Sequence, residues 1–385
     1  METALFKSSS SGKLIRAPGG YWAFVPHPLP PKLDWDDSLV SLISAADIAL
    51  GTLSGLGETL PNPHLLVYPF VRREAVLSSR IEGTQSSFSD LLLFEATRVE
   101  KQPDVSEVQN YVRAIEYGLK RLDELPISLC LIRELHAILM EGVRGEQATP
   151  GEFRQSQNWI GSPGCSLNEA IFVPPPVLEM QEALAQLEEF LHTDASLPLL
   201  VQLALVHYQF EAIHPFLDGN GRIGRLLITF FLCERTLLSQ PLLYLSAFFE
   251  QHRQEYYDLL LQVSQRGAWR KWIQFFLRAV VSQSSDAVQR SRLLLNLQQS
   301  YRQISLSKHI PPTAGQLVEL IFMRPVLNVK LAQGLLGVTF AGAQKAIHLL
   351  EGEGILTEIT GGKRNKAYAA KEILDILEDD FSLRE

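Results

Sequence analysis

Two stretches in the middle of the chain are apolar on nearly every side when they are drawn as helices. They are residues 199–213 (LLVQLALVHYQFEAI) and 226–238 (LLITFFLCERTLL). A helix that is apolar all round is ordinarily buried among other helices. The pattern therefore predicts a mainly α protein with a helical-bundle core. It also puts the polar residues 214–225 at the mouth of that core, where binding sites are commonly built.

Four other stretches complete the coarse picture. Residues 162–176 hold turn formers, then apolar residues, then three prolines, which predicts a short hairpin with an exposed edge. Residues 256–277 have the apolar spacing of a helix, and residues 286–305 are polar and helical, like a connector. Residues 311–370 predict three short helices and a hairpin, with a turn at Gly337.

The polar connection, HPFLDGNGRIGR from His214 to Arg225, carries the candidate chemistry. A Gly-rich turn that leads into a helix presents backbone N–H groups and favours an anion. Arg222 and Arg225 lie three positions apart and can point to one side, which suits several phosphates. Asp218 is an oxygen ligand of the kind that Mg²⁺ prefers, and His214 can accept a proton at neutral pH. Each feature alone is ordinarily a loop or a solvated face, but their order between two buried helices favours a nucleotide site.

This stretch resembles the motif of Fic-domain proteins, His-x-Phe-x-(Asp/Glu)-Gly-Asn-Gly-Arg-x-x-Arg, at every defined position. The resemblance implies a Fic helical-bundle core with a short β-hairpin flap, and transfer of AMP from ATP to a hydroxyl side chain of a target protein or of the chain itself. It implies that His214 is the general base and that Asp218 binds Mg²⁺. It assigns the anion hole and the phosphate contacts to five residues: Gly219, Asn220, Gly221, Arg222 and Arg225.

A second motif lies upstream, where Ser78-x-x-x-Glu82-Gly83 resembles the inhibitory motif of the same family. Ser78 and Glu82 are one helical turn apart, and Gly83 is expected to end the helix. The resemblance implies that Glu82 pairs with Arg225 and blocks the γ-phosphate, while Ser78 orients Glu82 by a hydrogen bond. The alternative is an ordinary helix end with a surface glutamate.

The resemblance also suggests where the substrates bind. The segment 162–176 is similar to the Fic flap, which holds a protein substrate by strand addition beside the histidine. The alternative is a connecting loop. Tyr257 is expected to contact the adenine ring, with Ser264 facing it two turns on. Aromatic residues at helical spacing are, however, often core residues.

The bulk composition restricts the function classes. A chain of 385 residues has room for two or three domains, and a net charge of −8 argues against a general nucleic-acid binder. The three cysteines, at no metal spacing, suggest reduced thiols in a cytoplasm. Residues 1–12 are expected to be a frayed terminus rather than a secretory signal, and no apolar stretch is expected to span a membrane.

The residues after 305 resemble a winged helix, for which DNA binding is the obvious hypothesis. The expected groove-facing side has few cations, and acidic residues oppose them, so a protein contact or a homodimer is favoured over DNA. The face and wing residues are Gln344, Lys345, His348, Lys363, Arg364 and Lys366, and the opposing acids are Glu351, Glu353 and Glu358.

The domain prediction is an N-terminal helical segment with the inhibitory helix (1–95), a Fic core (96–285), a connector (286–305) and a winged helix (306–385). The functional prediction is an autoinhibited, ATP- and Mg²⁺-dependent protein adenylyltransferase. One alternative is removal of AMP at the same site, with Glu82 positioning water. Another is a nucleotide-sensing regulator that binds DNA. The intact His214 favours catalysis, because a sensor needs no base there.

Overall fold

The N-terminal part of the chain combines a hairpin with three helices. The computed structural model describes residues 1–60, 62–97, 103–142, 149–162, 164–193, 196–361 and 365–379. The first elements are β1 (Gly12–Arg16), β2 (Trp22–Pro26), α1 (Asp37–Thr59), α2 (His64–Ile81) and α3 (Phe88–Thr97). β1 and β2 are antiparallel, with Gly12 opposite Pro26.

The prediction that residues 1–12 form a frayed terminus is wrong. Residues Thr3–Phe6 form a 3₁₀ helix, and Phe6 is only 3% exposed. Its ring lies 5.7 Å from that of Phe24 on β2 and 6.3 Å from that of Phe172, measured between ring centroids. A terminus that buries a large aromatic side chain is tied down by it, and no periodic pattern in so short a segment signals this.

Eight helices build the central bundle within the described residues. They are α4 (Pro103–Arg121), α5 (Leu129–Leu139), α6 (Val177–His192), α7 (Leu199–Ile213), α8 (Asn220–Glu234), α9 (Ser246–Gln251), α10 (Arg253–Arg266) and α11 (Trp269–Ser307). The predicted buried helices are α7 and α8: thirteen of the fifteen residues of α7 and twelve of the fifteen of α8 are buried. The prediction of a helical-bundle core is confirmed.

Helix α1 is long and apolar enough to cross a membrane by length and composition, contrary to the expectation that no stretch is. Its buried side chains recur at helical spacing and include Leu39, Ile43, Leu50 and Leu53. α1 packs along α11. Core helices of globular proteins pass the same length test, and an amphipathic stripe of this kind is what such a helix shows.

The last part of the chain is a small unit of helices and short strands, here called the C-terminal unit (residues 312–378). Its elements are α12 (Pro312–Met323), β3 (Val326–Asn328), α13 (Val329–Leu336), α14 (Phe340–Gly352), β4 (Thr357–Glu358), β5 (Ala367–Ala369) and α15 (Lys371–Glu378). β5 lies between β3 and β4, antiparallel to both. The predicted short helices and strands are present, and the winged-helix interpretation stays a prediction.

Two of the predicted face and wing residues contact acidic side chains of the same unit. Lys366 lies 2.8 Å from Glu358, and His348 Nδ1 lies 3.2 Å from Glu351. The predicted wing residues Lys363 and Arg364 lie outside the described residues. The acidic neighbours expected from the sequence are thus in contact with these two side chains.

The C-terminal unit is docked on the rest of the chain. α12 packs against α2, and α3 packs against β3. Arg290 of α11 donates to the carbonyls of Ile376 and Asp379. All three proposed domain boundaries fall inside helices: 95/96 lies in α3, and 285/286 and 305/306 lie in α11. The predicted connector is therefore part of one long packed helix, and the division into domains stays a proposal.

Candidate active site

The loop between α7 and α8 is held by its own side chains. His214 ends α7 in a left-handed conformation (φ 50°, ψ 61°), and Gly219 precedes α8 with φ 79°, which favours glycine. Asn220 bonds the backbone N and O of Phe216, each at 2.8 Å. The Asn220 side chain is therefore used inside the loop, and the backbone amides at the start of α8 are what this turn can offer an anion.

His136 of α5 supports the same loop, and the sequence interpretation missed it. Its ring stacks on Phe216, with centroids 3.7 Å apart and planes 6° apart. Its Nδ1 accepts from the Gly151 amide at 2.8 Å, so its Nε2 carries the proton and donates to the Asp218 carbonyl at 3.1 Å. Burial lowers the pKa of His136 to about 4, which keeps the ring neutral. A single histidine on an amphipathic helix gives no signal of such a role.

His214 is prepared to accept a proton through Nε2. Its Nδ1 lies 3.3 Å from the Glu211 carbonyl, and since a carbonyl only accepts, Nδ1 carries the proton. Burial lowers the pKa of His214 to about 4, the Glu211 carbonyl opposes this, and Arg154 adds to it. The ring is therefore neutral at pH 7, as a general base must be.

Arg225 reaches from α8 to α2, and its side chain is only 2% exposed. Its Nη2 donates to Glu82 Oε1 at 2.7 Å, which is the predicted pairing. Its Nε donates to Ser78 Oγ at 2.8 Å and its Nη2 to the Ser78 carbonyl at 3.0 Å. The expectation that Ser78 orients Glu82 is wrong: Ser78 holds Arg225 directly, because the guanidinium fork presents donors to both residues.

Glu82 lies over the first turn of α8. A Cβ atom placed on Gly221 would collide with Glu82 Oε1 and with Arg225 Nη1, so the carboxylate occupies the space in front of the expected anion hole. Burial opposes the charged form of Glu82, but Arg225 outweighs it and the pKa of Glu82 is lowered. Gly83, with φ 100°, follows the end of α2 as predicted.

Arg222 and Asp218 are neighbours on the other side of the turn. Arg222 Nη1 lies 3.5 Å from Glu107 of α4, and its Nη2 lies 3.6 Å from Asp218 Oδ1. Asp218 Oδ1 also accepts from the Gly219 amide at 2.6 Å, and its side chain is 51% exposed. Among the described residues no group of three or more His, Cys, Asp or Glu side chains is arranged to hold a metal ion. A single accessible carboxylate fits Mg²⁺ that is shared with nucleotide phosphates.

The aromatic residues of α10 divide between surface and core. Tyr257 is 39% exposed, and its ring lies 5.2 Å from that of Tyr256. Tyr256 is buried and bonds His207 Nε2 at 2.8 Å. Ser264 is also buried and bonds the Tyr208 hydroxyl at 2.9 Å, so the expectation that it faces the ring site is wrong. Tyr257 remains accessible for a flat ring.

The predicted flap is present with less regular pairing than expected. Its only bridge among the described residues joins Ile160 to Phe172, and their backbones bond at 2.8 Å. The Val173 carbonyl that follows accepts from Phe24 of β2. The hairpin prediction for 162–176 is corrected in this respect: pairing begins two residues earlier and forms no continuous strand. Trp159 and Ile171 are exposed beside it.

Comparisons with known proteins agree with this geometry. A profile of the Fic/DOC family N-terminal region matches residues 40–120, and a profile of the Fic/DOC family matches residues 126–232. A Fic family protein from Desulfovibrio desulfuricans G20 has a similar structure, with a TM-score of 0.56 at 18% identity over 89% of this chain and 98% of that one. The chain thus carries a Fic domain over residues 126–232, preceded over residues 40–120 by the N-terminal region of the same family.

The chain is also similar in sequence to proteins that are named as adenylyltransferases. The chain is 30% identical over 203 residues to the protein adenylyltransferase Fic of Culex quinquefasciatus, which covers 51% of this chain and 37% of that protein. It is 27% identical over 202 residues to the protein adenylyltransferase Fic of Drosophila willistoni, again over 51% and 37%. The chain thus spans well under half the length of these relatives.

Proposed function

We propose that this protein is an autoinhibited protein adenylyltransferase that transfers AMP from ATP to a hydroxyl side chain of a protein. The observation that carries the proposal is the neutral His214, with Nε2 free of the proton, beside the turn that leads into α8. The relatives named above as adenylyltransferases support it.

The residues account for each part of the transfer. The target oxygen attacks the α-phosphorus, its proton passes to His214 Nε2, and the bond from phosphorus to the bridging oxygen breaks so that pyrophosphate leaves. Negative charge builds on the phosphate oxygens during this step. The amides of Gly219, Asn220 and Gly221 and the guanidinium of Arg222 stabilise that charge from fixed positions.

Asp218 would hold Mg²⁺ together with the phosphates. When bound, Mg²⁺ supplies neutralisation of the phosphate charge. The Asp218→Ala variant is expected to lose most turnover and to need more Mg²⁺, which titration of Mg²⁺ against labelling rate measures. An unchanged metal dependence would contradict this role.

Autoinhibition follows from what Glu82 occupies. Glu82 is paired with Arg225, the arginine that would receive the γ-phosphate, and it lies over Gly221. ATP must therefore displace the carboxylate or bind with its γ-phosphate elsewhere. We infer that the parent protein is slow because Glu82 competes with the nucleotide for one cation.

The test is intact-mass analysis of the Glu82→Gly protein after incubation with ATP and Mg²⁺, alone and with candidate proteins. A gain of one AMP unit supports the transferase, and the matched control is the same protein carrying His214→Ala. No gain in any protein, although ATP binds, would leave a nucleotide sensor as the better account.

Removal of AMP at the same site is a second candidate. The Glu82 carboxylate lies at the turn, its side chain is 35% exposed, and its charge acts on His214. A carboxylate so placed could orient water towards the phosphorus. Release of AMP from a pre-labelled protein by the parent, and not by Glu82→Gly, would support this activity.

A further inference from the structure

Arg154 is a buried cation for which the proposed reaction gives no role. It lies between α5 and the flap, and the residue is only 1% exposed. Within the part of the chain that the structure describes, no carboxylate forms an ion pair with it. Its guanidinium donates instead to three backbone carbonyls: Nε to His214 at 2.9 Å, Nη1 to Ser156 at 3.2 Å, and Nη2 to Pro175 at 2.5 Å.

A buried arginine without an ion-pair partner lowers the stability of the fold. A charge that is taken out of water without an opposite charge carries a large desolvation penalty, and a neutral side chain of similar size would avoid it. Burial accordingly lowers the pKa of Arg154 to about 10. The contacts that Arg154 makes are therefore a better account of the residue than its contribution to stability.

On one side, the Arg154 side chain fixes the backbone of His214, the proposed general base. His214 has a left-handed backbone, which disfavours any residue other than glycine by about 1–2 kcal/mol. Its carbonyl accepts from Arg154 Nε and also from Asn158 Nδ2 at 3.1 Å, and the same Asn158 amide bonds the Phe216 carbonyl at 2.8 Å. These donors hold the conformation in which Nδ1 of His214 faces the Glu211 carbonyl.

On its other side, the Arg154 side chain contacts the last residues of the flap. Arg154 Nη2 donates to the carbonyl of Pro175. The carbonyl of the preceding residue, Pro174, accepts from Gln157 Nε2 at 3.0 Å. The Arg154 backbone amide also donates to the Pro215 carbonyl at 2.9 Å. A single planar side chain therefore connects the flap to the loop that carries His214.

We propose that Arg154 is a positioning residue that sets the distance between His214 and the flap. Its charge adds to burial in opposing protonation of the His214 ring. The charged groups that act on His214 are Arg154, Glu82 and Asp218. The two acids favour the protonated ring, and Arg154 opposes them. The effect on turnover rests on the proposed function, whereas the effect on His214 ionisation does not.

The experiment uses the full chain with Glu82→Gly and compares three changes: Arg154→Gln, Arg154→Lys and Asn158→Ala. Three quantities are measured: the labelling rate, the Kd for ATP, and the pKa of the His214 imidazole by NMR, assigned by its loss in His214→Ala. The control is Arg290→Gln, which removes another buried guanidinium. Arg290 donates to the carbonyls of Ile376 and Asp379 and to the Asp286 carboxylate, and none of these residues belongs to the loop or the flap.

Arg154→Gln is expected to lower turnover on the order of 10²-fold with little change in the Kd for ATP, because a displaced base loses orientation. It should also raise the pKa of His214. Arg154→Lys keeps the charge but not the three-way contact, so turnover should fall while the pKa of His214 stays low. Arg290→Gln should change neither quantity.

Unchanged turnover in both Arg154 variants, or an equal loss in Arg290→Gln, would overturn the positioning role. If the Arg154 variants fail to fold, Asn158→Ala tests the proposal instead. It removes a donor to the same His214 carbonyl and leaves the buried charge in place. A full labelling rate in that variant counts against the proposal. If Glu82→Gly itself never labels protein, the adenylyltransferase proposal fails. The role of Arg154 is then tested only by the pKa of His214 in Arg154→Gln and Arg154→Lys.

Discussion

The two ends of the candidate site are held in different ways. At the His214 end, the contacts come from buried side chains that bond backbone carbonyls and amides: Arg154, Asn158, Asn220 and His136. At the Arg225 end, the guanidinium is buried, but the carboxylate that faces it, Glu82, is 35% exposed.

This difference separates a fixed part from a replaceable part. Amides and carbonyls that satisfy one another in the interior leave nothing for a ligand to displace. An accessible carboxylate on a buried cation can be replaced by another anion, such as a phosphate. We infer that the His214 end keeps one geometry and that the Arg225 end exchanges its partner.

The largest effect is expected from breaking the fixed end. In the Glu82→Gly background, His214→Ala should lower the labelling rate on the order of 10²–10⁴-fold, because the proton acceptor is lost. The Kd for ATP, measured by calorimetry, should stay close to that of the background protein, since the base acts on the target hydroxyl. A labelling rate near that of the background would show that the base is another residue.

Freeing the replaceable end should raise the rate. If the open state of Glu82 is populated to about 1%, Glu82→Gly gains up to roughly 100-fold in labelling rate. Arg225→Ala is the control: it also removes the pair, but it loses the γ-phosphate contact and should give no net activation. Equal labelling rates for the parent and Glu82→Gly would contradict the autoinhibition proposal.

Ser78→Ala should act in the same direction with a smaller effect. It removes one hydrogen bond to Arg225 and leaves the contact between Arg225 and the Ser78 carbonyl intact. A single hydrogen bond is worth about 0.5–1.5 kcal/mol, so the labelling rate should rise about 2- to 12-fold. Ser79→Ala, one position on, is the matched control, and a similar gain there would mean that the effect is general loosening of α2.

The smallest change concerns pH. His214 has its pKa lowered to about 4 in the folded protein, below its ordinary value of about 6.5. The kcat/KM of Glu82→Gly should therefore stay level as the pH falls through 6.5 and decline only nearer 4. Over the same interval the unfolded chain takes up the proton first, so His214 lowers the free energy of unfolding as the pH falls. An acidic limb centred at 6.5 would contradict the assigned ionisation.

The chemistry of the loop could be predicted from the sequence, because its residues are neighbours in the chain. His214, Asp218, the Gly-Asn-Gly turn and the arginines fall within twelve positions, and the apolar helices on both sides are unmistakable. The end of α2 at Gly83 was also predictable, since a glycine after a helical run is a local signal. The N-terminal hairpin was missed because neither of its short strands shows a clear alternation.

The tertiary structure decided which distant groups meet in the site. Glu82 reaches Arg225 across 143 positions, His136 reaches Asp218 across 82, and Arg154 reaches His214 across 60. For the first of these contacts the sequence offered a family resemblance, and for the other two it offered nothing. Local patterns specify which face of a helix is apolar, but only the packing of one helix on another determines which polar atoms come within hydrogen-bonding distance.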